Sequence, residues 1–326
     1  MISKDNYVKL DVEGLLDLEK LSVEYNIPKD ELIQFHNNNC GISELLPLNM
    51  TKYVPFIYIP KINFESKKSR LIPNTTLKYP LNKSEKNYGV IIKYIHSNLQ
   101  IHFEVNVKRE GTLIVIDKKK TFINNSEVEN MIEKLYQEAE KAIYPLKISV
   151  ADNGSFSKIE NNKEILERWE KEISPELKEY YVGETAEKIF KKMDSVFKDL
   201  NYLKHFFMQS VFYKIFFLPV YNSYSDFKKE SSIEFYFGSL QKYISYDIQY
   251  ILNREFTRGT KIALQMAGKE QNDPFFDKTE KGNVEMMFKF QKDTHELFSV
   301  TGFARTYDGG KELKIEFQLF DITDLN

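Results

Sequence analysis

The spacing of apolar positions changes several times along the chain, and each change marks an element. The densest apolar run is 200–219, where Leu203, Phe206, Phe207, Ser210, Val211 and Phe217 recur at helical spacing and Pro219 supplies a stop. A helix apolar on most of its surface needs cover on several sides, so this run predicts the centre of the fold. Asn201, Lys204, His205, Gln209 and Lys214 interrupt it. A membrane crossing of about 18 clean apolar residues is therefore not expected.

Upstream, Ile101, Phe103, Val105 and Val107 alternate with Gln100, His102, Glu104, Asn106 and Lys108, which predicts a strand with one wet face. Tyr88–His96 before it and Thr112–Ile116 after it complete an antiparallel meander over 88–116. Ser126-Glu-Val-Glu129 has capping-box spacing and predicts a helix with Val128, Met131, Ile132, Leu135 and Ala139 inward. Leu146, Ile148 and Val150 alternate, and Asp152-Asn-Gly154 turns the chain toward Phe156–Ile159. Asn161 is placed to cap a helix with Ile165, Leu166 and Trp169 inward, Ser174-Pro175 to start another, and Gly183 to break it. Residues 185–199 continue as helix, with Ile189, Phe190, Met193, Val196 and Phe197 inward.

From Ile233 strands return: Ile233–Phe237, two within Tyr246–Met266 broken near Arg258-Gly259, then Val284–Phe290, Phe298–Val300 and Leu313–Leu319. Residues 267–282 read as a loop, and Tyr307-Asp-Gly-Gly310 as a turn. Strands, helices, then strands predict an α+β domain over 88–326, an antiparallel sheet with helices packed on one face.

The first 61 residues have their own order, β-α-α-β. Tyr7–Leu10 is a strand, Asp17 opens a helix carrying Leu18, Leu21 and Tyr25, and Pro28 precedes a second with Leu32, Ile33 and Phe35. Phe56–Ile59 is a strand ended by Pro60. The segment from Leu18 to Asn37 resembles the helix–turn–helix of a LysM module, and Ile57-Tyr-Ile-Pro60 resembles its closing strand. The resemblance implies two helices on one side of a two-stranded sheet, and binding of N-acetylglucosamine-containing glycans of the peptidoglycan type. Carried onto this chain, its glycan- or partner-binding positions are Gly14, Asp17, Leu18, Tyr25, Ile27, Pro28, His36, Asn37 and Tyr58. The chain departs from the family where Val12–Leu18 replaces Gly-Asp-Thr-Leu, and where Asn49–Pro55 stands in place of a Gly-Gln pair. Those are the loops that would hold sugar, so docking on a protein partner is the competing use. Modules of this family also serve as adaptors in phage-tail-like contractile injection assemblies.

Residues 62–87, with Pro73, Pro80 and seven basic residues counted from Lys61 against Glu65 and Glu85, read as a semi-extended basic linker. Three parts are thus expected: 1–61, 62–87 and 88–326. The net charge is −2 in 326 residues, which argues against a general grip on nucleic acid or anionic lipid. Cys40 is the only cysteine, so no intramolecular disulfide or thiolate metal cluster can form. Met1–Tyr7 has neither the basic nor the apolar region of a secretory signal, so a cytoplasmic protein is expected, with export by a dedicated machine left open.

Catalytic motifs are absent: no phosphate-cradling Gly-rich loop, no Gly-x-Ser-x-Gly and no His-Glu-x-x-His. His102 and Glu104 on one strand with His96 on its neighbour are the only cluster to weigh for a metal. Zinc normally takes three or four protein ligands, so an ordinary polar sheet face is expected, with no metal and no cofactor. Asp152–Ser155 lacks the later Glu of a calcium loop and reads as a turn. The chain reads as non-enzymatic. Its 25 Phe and 20 Tyr leave one alternative, a carrier holding an apolar ligand among the rings of the large domain.

Overall fold

The computed structural model describes residues 7–12, 16–25, 27–47, 54–61, 71, 74–128, 130–254, 261–272 and 280–323. The chain divides into two compact units, 1–72 with 253–262, and 73–252 with 263–326. Among the described residues no helix is long and apolar enough to cross a membrane.

In the small unit β1 (Tyr7–Asp11), α1 (Leu18–Glu24), α2 (Lys29–Asn37) and β2 (Phe56–Pro60) follow in the expected order, with a 3-10 turn over Ile42–Glu44. β1 and β2 pair antiparallel, Lys9 opposite Tyr58 and Leu10 opposite Ile57. The alternation of β2 sends Ile57 and Ile59 into a core with Leu16, Leu21, Ile27, Leu32 and Ile33.

The stretch read as a linker is not one piece. Residues 62–70 lie outside the described residues. Leu71 donates its N–H to the Arg254 carbonyl. From Thr76 on, the chain is fastened within the large unit: Thr76 bridges Ser223, Leu77 is buried and donates to the Asn222 carbonyl, and Lys78 N–H donates to His295 Nδ1. Leu77 and Pro80 follow no helix or strand period, since Leu81 next to Pro80 is exposed, yet both are buried. β3 has already begun at Ser84.

The large unit begins with β3 (Ser84–Tyr94), β4 (Leu99–Glu110), β5 (Leu113–Ile123) and a short β6 (Ser126–Glu127). α3 (Met131–Glu140), β7 (Leu146–Val150) and β8 (Phe156–Ile159) follow. Next come α4 (Asn162–Arg168), a π-helical turn Trp169–Ile173, α5 (Ser174–Tyr180), α6 (Glu184–Lys198), α7 (Leu200–Gln209) and α8 (Val211–Phe216). The remainder is β9 (Lys228–Phe237), β10 (Lys242–Leu252), β11 (Lys261–Glu270), β12 (Asn283–Gln291), β13 (Leu297–Asp308) and β14 (Lys311–Asp321). The strands form one sheet in the order β8-β7-β5-β4-β3-β14-β13-β12-β11-β10-β9, with β6 added to β5.

Two meanders are therefore joined along one seam. The first runs outward from β3 to β8, α4–α8 carry the chain to the far edge, and the second runs back from β9 to β14. There β14 pairs antiparallel with β3, Phe317 opposite Ile92. α8 touches both β3 and β9, six strand steps apart in that order. Six steps of a flat sheet span about 29 Å, whereas a six-residue helix is only about 9 Å long. The sheet must curl around α8. Rings fill the enclosed side: Phe212 lies 5.6 Å from Phe103, Phe216 6.0 Å from Tyr88, and Phe217 5.5 Å from Phe156.

Several local expectations change. The helix expected at Ser126 starts after Asn130, whose side chain accepts from Ile132 N–H at 3.1 Å. Asn124 and Asn125 both take positive φ, the requirement of a two-residue hairpin turn, and so Ser126-Glu127 pairs back on β5. This shift of frame leaves Met131 65% and Ile132 47% exposed, although Leu135 and Ala139 are buried as expected. α5 does begin at Ser174-Pro175 as expected, but directly on the end of a π turn that carries the fully buried Trp169, so no break separates it from α4. The 200–219 run is two helices, because Ser210 is extended (φ −69°, ψ 129°), and Phe206 is left exposed. β11 continues through Glu270, into the expected loop.

Candidate functional site

The expected binding positions all lie on the small unit. Asp17 caps α1: its Oδ1 accepts from Lys20 N–H at 2.9 Å and its carbonyl from Leu21 N–H at 3.1 Å. Leu18 and Ile27 are core residues, and Tyr25 packs partly buried against the same core. Pro28 precedes α2, where its carbonyl accepts the first helical bond from Leu32 N–H, so its missing N–H costs nothing. Gly14 lies outside the described residues.

His36 and Asn37, at the end of α2, fasten the chain that follows. Asn37 makes a two-pronged clip to Leu46, Nδ2 donating to its carbonyl and Oδ1 accepting its N–H, both at 2.8 Å. His36 is fully buried. Its Nδ1 accepts from Tyr58 N–H at 3.1 Å, which places the ring proton on Nε2, 2.9 Å from the Glu44 carbonyl. The neutral ring thus closes the edge of β2 that β1 does not cover. Burial pushes its pKa down, the Glu44 carbonyl bond opposing in part. With both nitrogens held by backbone, His36 is no base for Cys40, four residues on.

Of the predicted positions, Tyr58 belongs to the outer face of the sheet. Tyr7, Lys9 and Asp11 stand opposite Pro60, Tyr58 and Phe56, so these six share one face. The Tyr58 ring lies 4.9 Å from Tyr7 and 5.0 Å from Phe56, and Lys9 Nζ sits 4.0 Å over the Phe56 ring. Tyr7, Lys9 and Phe56 were not among the expected positions. The signal that finds them is strand register: once Ile57 and Ile59 are inward, Phe56 and Tyr58 must share the other face.

This arrangement can bind by apolar contact and ring stacking, with a phenol edge and a cation for polar groups. It holds no pair of nucleophile and base. Among the described residues no group of three or more His, Cys, Asp or Glu is placed to hold a metal ion. His102 stacks on Phe122 at 4.8 Å, Glu104 pairs with Lys119 at 2.9 Å, and His96 lies in a 3-10 turn rather than in the neighbouring strand.

Comparison with protein-family models, with curated proteins and with solved structures gives no match to this chain.

Proposed function

We propose that the protein is a non-enzymatic adaptor whose LysM-like head docks on a partner while the curled α+β unit serves as scaffold. The observation that carries this reading is the Tyr7–Tyr58–Phe56 strip with Lys9 on the outer face of the β1–β2 sheet. Large rings with polar tips are the side chains that anchor interfaces. Leu18, Ile27 and His36 are buried in the head, and the side chains of Asp17 and Asn37 are tied to its backbone, which favours a protein partner over a sugar groove. A contractile injection assembly is the setting that the LysM resemblance implies. A peptidoglycan-type glycan is the second ligand it implies, and the aromatic strip suits a sugar ring as well.

Full-length protein is tested for retention on purified peptidoglycan and chitin oligomers, and separately for co-purifying proteins, with Tyr58→Ala and Phe56→Ala as variants. Protein partners lost in both variants support docking. Retention on glycan, lost in the same variants, assigns the head to sugar. If the wild type captures neither, or both variants behave as wild type, the reading fails.

A further inference from the structure

Gly89 stands in the middle of β3 between the buried Tyr88 and Val90. Glycine weakens a strand interior, and where it occurs it commonly marks a bulge, a bend or a close approach. No bulge breaks β3 here and no backbone crowds the glycine; the nearest irregularity is the register shift between β4 and β5 at Glu104, opposite Gly89. β3 keeps an unbroken register on both sides, Gly89 lying opposite Phe320 of β14 and Glu104 of β4. A Cβ at Gly89 would meet only two carbons of Ile322, at 3.7 and 3.9 Å. At Gly268, Gly282 and Gly302 a Cβ would instead fall 2.3, 1.8 and 2.2 Å from a backbone oxygen. Close backbone approach demands those three glycines, whereas no such approach demands Gly89. Its effect is to leave a gap in the row Phe320–Gly89–Glu104.

The gap opens into a surface cleft of about 610 Å³, within the range of small-molecule sites. Phe320, 39% exposed, forms one wall, and the stacked His102–Phe122 pair stands across from it. The rim is polar and electrically balanced. Lys119 pairs with Glu104 at 2.9 Å, Lys120 pairs with Glu127 at 2.5 Å, and Gln100 Nε2 donates to Asn125 Oδ1 at 3.0 Å. With each cation matched, nothing selects an anion. A purely apolar occupant would leave the amides and the carboxylate at the rim without a role.

We propose that this cleft binds a neutral pyranose, seated over Gly89. One C–H face lies against Phe320, where polarised C–H groups meet the negative face of the ring. The hydroxyl edge reaches Glu104, Gln100 and Asn125. The site belongs to the large unit and is independent of the docking role of the head.

Saturation-transfer NMR on the full-length protein tests this, using glucose, galactose, N-acetylglucosamine and a β-linked trisaccharide, with cyclohexanol as the apolar control. The expected result is transfer to the ring protons of at least one sugar at about 10 mM or below. Affinity should fall at least about tenfold in Gly89→Val and in Phe320→Ala, and stay unchanged in Tyr58→Ala on the head. Tighter binding of the trisaccharide identifies the end of a glycan chain as the source, and equal binding identifies a free sugar; both support the site. If Gly89→Val does not fold, Phe320→Ala decides. Absence of transfer from every sugar, binding insensitive to both cleft variants, or cyclohexanol saturating as strongly as the sugars would overturn the proposal.

Discussion

Replacing His36 by Leu removes the imidazole while keeping an apolar side chain of comparable size in its place. Two backbone groups then lose their partners, the Tyr58 N–H and the Glu44 carbonyl. A buried polar group left unmet costs about 1–3 kcal/mol. Tyr58 is only partly buried, so the lower half of that range applies, and the pair together is worth about 2–4 kcal/mol. The loss falls on the small unit, whose core is the short cluster around Leu32, Ile33, Ile57 and Ile59. It should show as local opening of β2 rather than as unfolding of the large sheet. At 1.4 kcal/mol per tenfold, amide exchange at Ile57–Ile59 should accelerate about 30- to 700-fold. Hydrogen–deuterium exchange with fragment-level mass spectrometry reads this directly, and β12–β14 supply the internal reference. If β2 exchanges within about threefold of the wild type while circular dichroism stays native, His36 does not hold that edge and the argument fails.

The same ring sets a pH dependence. An unfolded imidazole takes up its proton near pH 6.5, whereas in the folded head burial holds the pKa below that value. The head is therefore fully stabilised above about pH 6.5 and loses stability as pH falls below it; exchange in β2 measured from pH 7.5 to 5.5 should show this trend, relative to the large unit, and His36→Leu should abolish it. In the large unit, Arg109 and Glu296 form a buried pair at 3.4 Å, with Arg109 Nε also donating to Tyr79 OH at 3.1 Å. Arg109→Met strands the carboxylate and should lower stability by about 3–5 kcal/mol, while the Arg109→Met, Glu296→Leu double variant should recover most of it; urea midpoints check both, and no recovery in the double variant would count against a charge effect. Glycine substitutions should split in sign. Gly282→Ala drives a Cβ to 1.8 Å from the Arg305 carbonyl and should give insoluble or unfolded protein; Gly89→Ala should stabilise the large unit by about 0.5–1 kcal/mol, visible as a small rise in thermal midpoint.

Strands were legible wherever one face is wet. The alternation of Ile101, Phe103, Val105 and Val107 fixes β4 without any knowledge of its partners, and the same holds for β12 and β14. Helix frames were harder to read, because local signals compete. Ser126–Glu129 fits a capping box, but the two asparagines before it prefer the positive φ of a hairpin, and the hairpin wins. Met131, Ile132 and Phe206 look inward by composition and are exposed, since which side of a helix is covered depends on where neighbouring helices lie. The β-α-α-β order of the head followed from spacing alone. Its outer aromatic strip did not, because Tyr7 and Phe56 come together only through the pairing of strands 45 or more residues apart. The cleft at Gly89 was least visible: one glycine in a strand means little until Phe320, over two hundred residues later, is placed beside it.

The seam between β3 and β14 bears on how this protein is made. The pairing edge of β3 emerges with residues 84–94, and its partner, residues 311–321, is synthesised some 220 residues later. At about 5–20 residues per second the ribosome takes about 10–45 s to cover that distance. Throughout that interval Val90, Ile91 and Ile92 present an unpaired strand to other nascent chains, the kind of edge that templates intermolecular association. Translational pausing downstream of residue 94 should therefore lower the soluble yield, and a holdase chaperone supplied in excess should restore it.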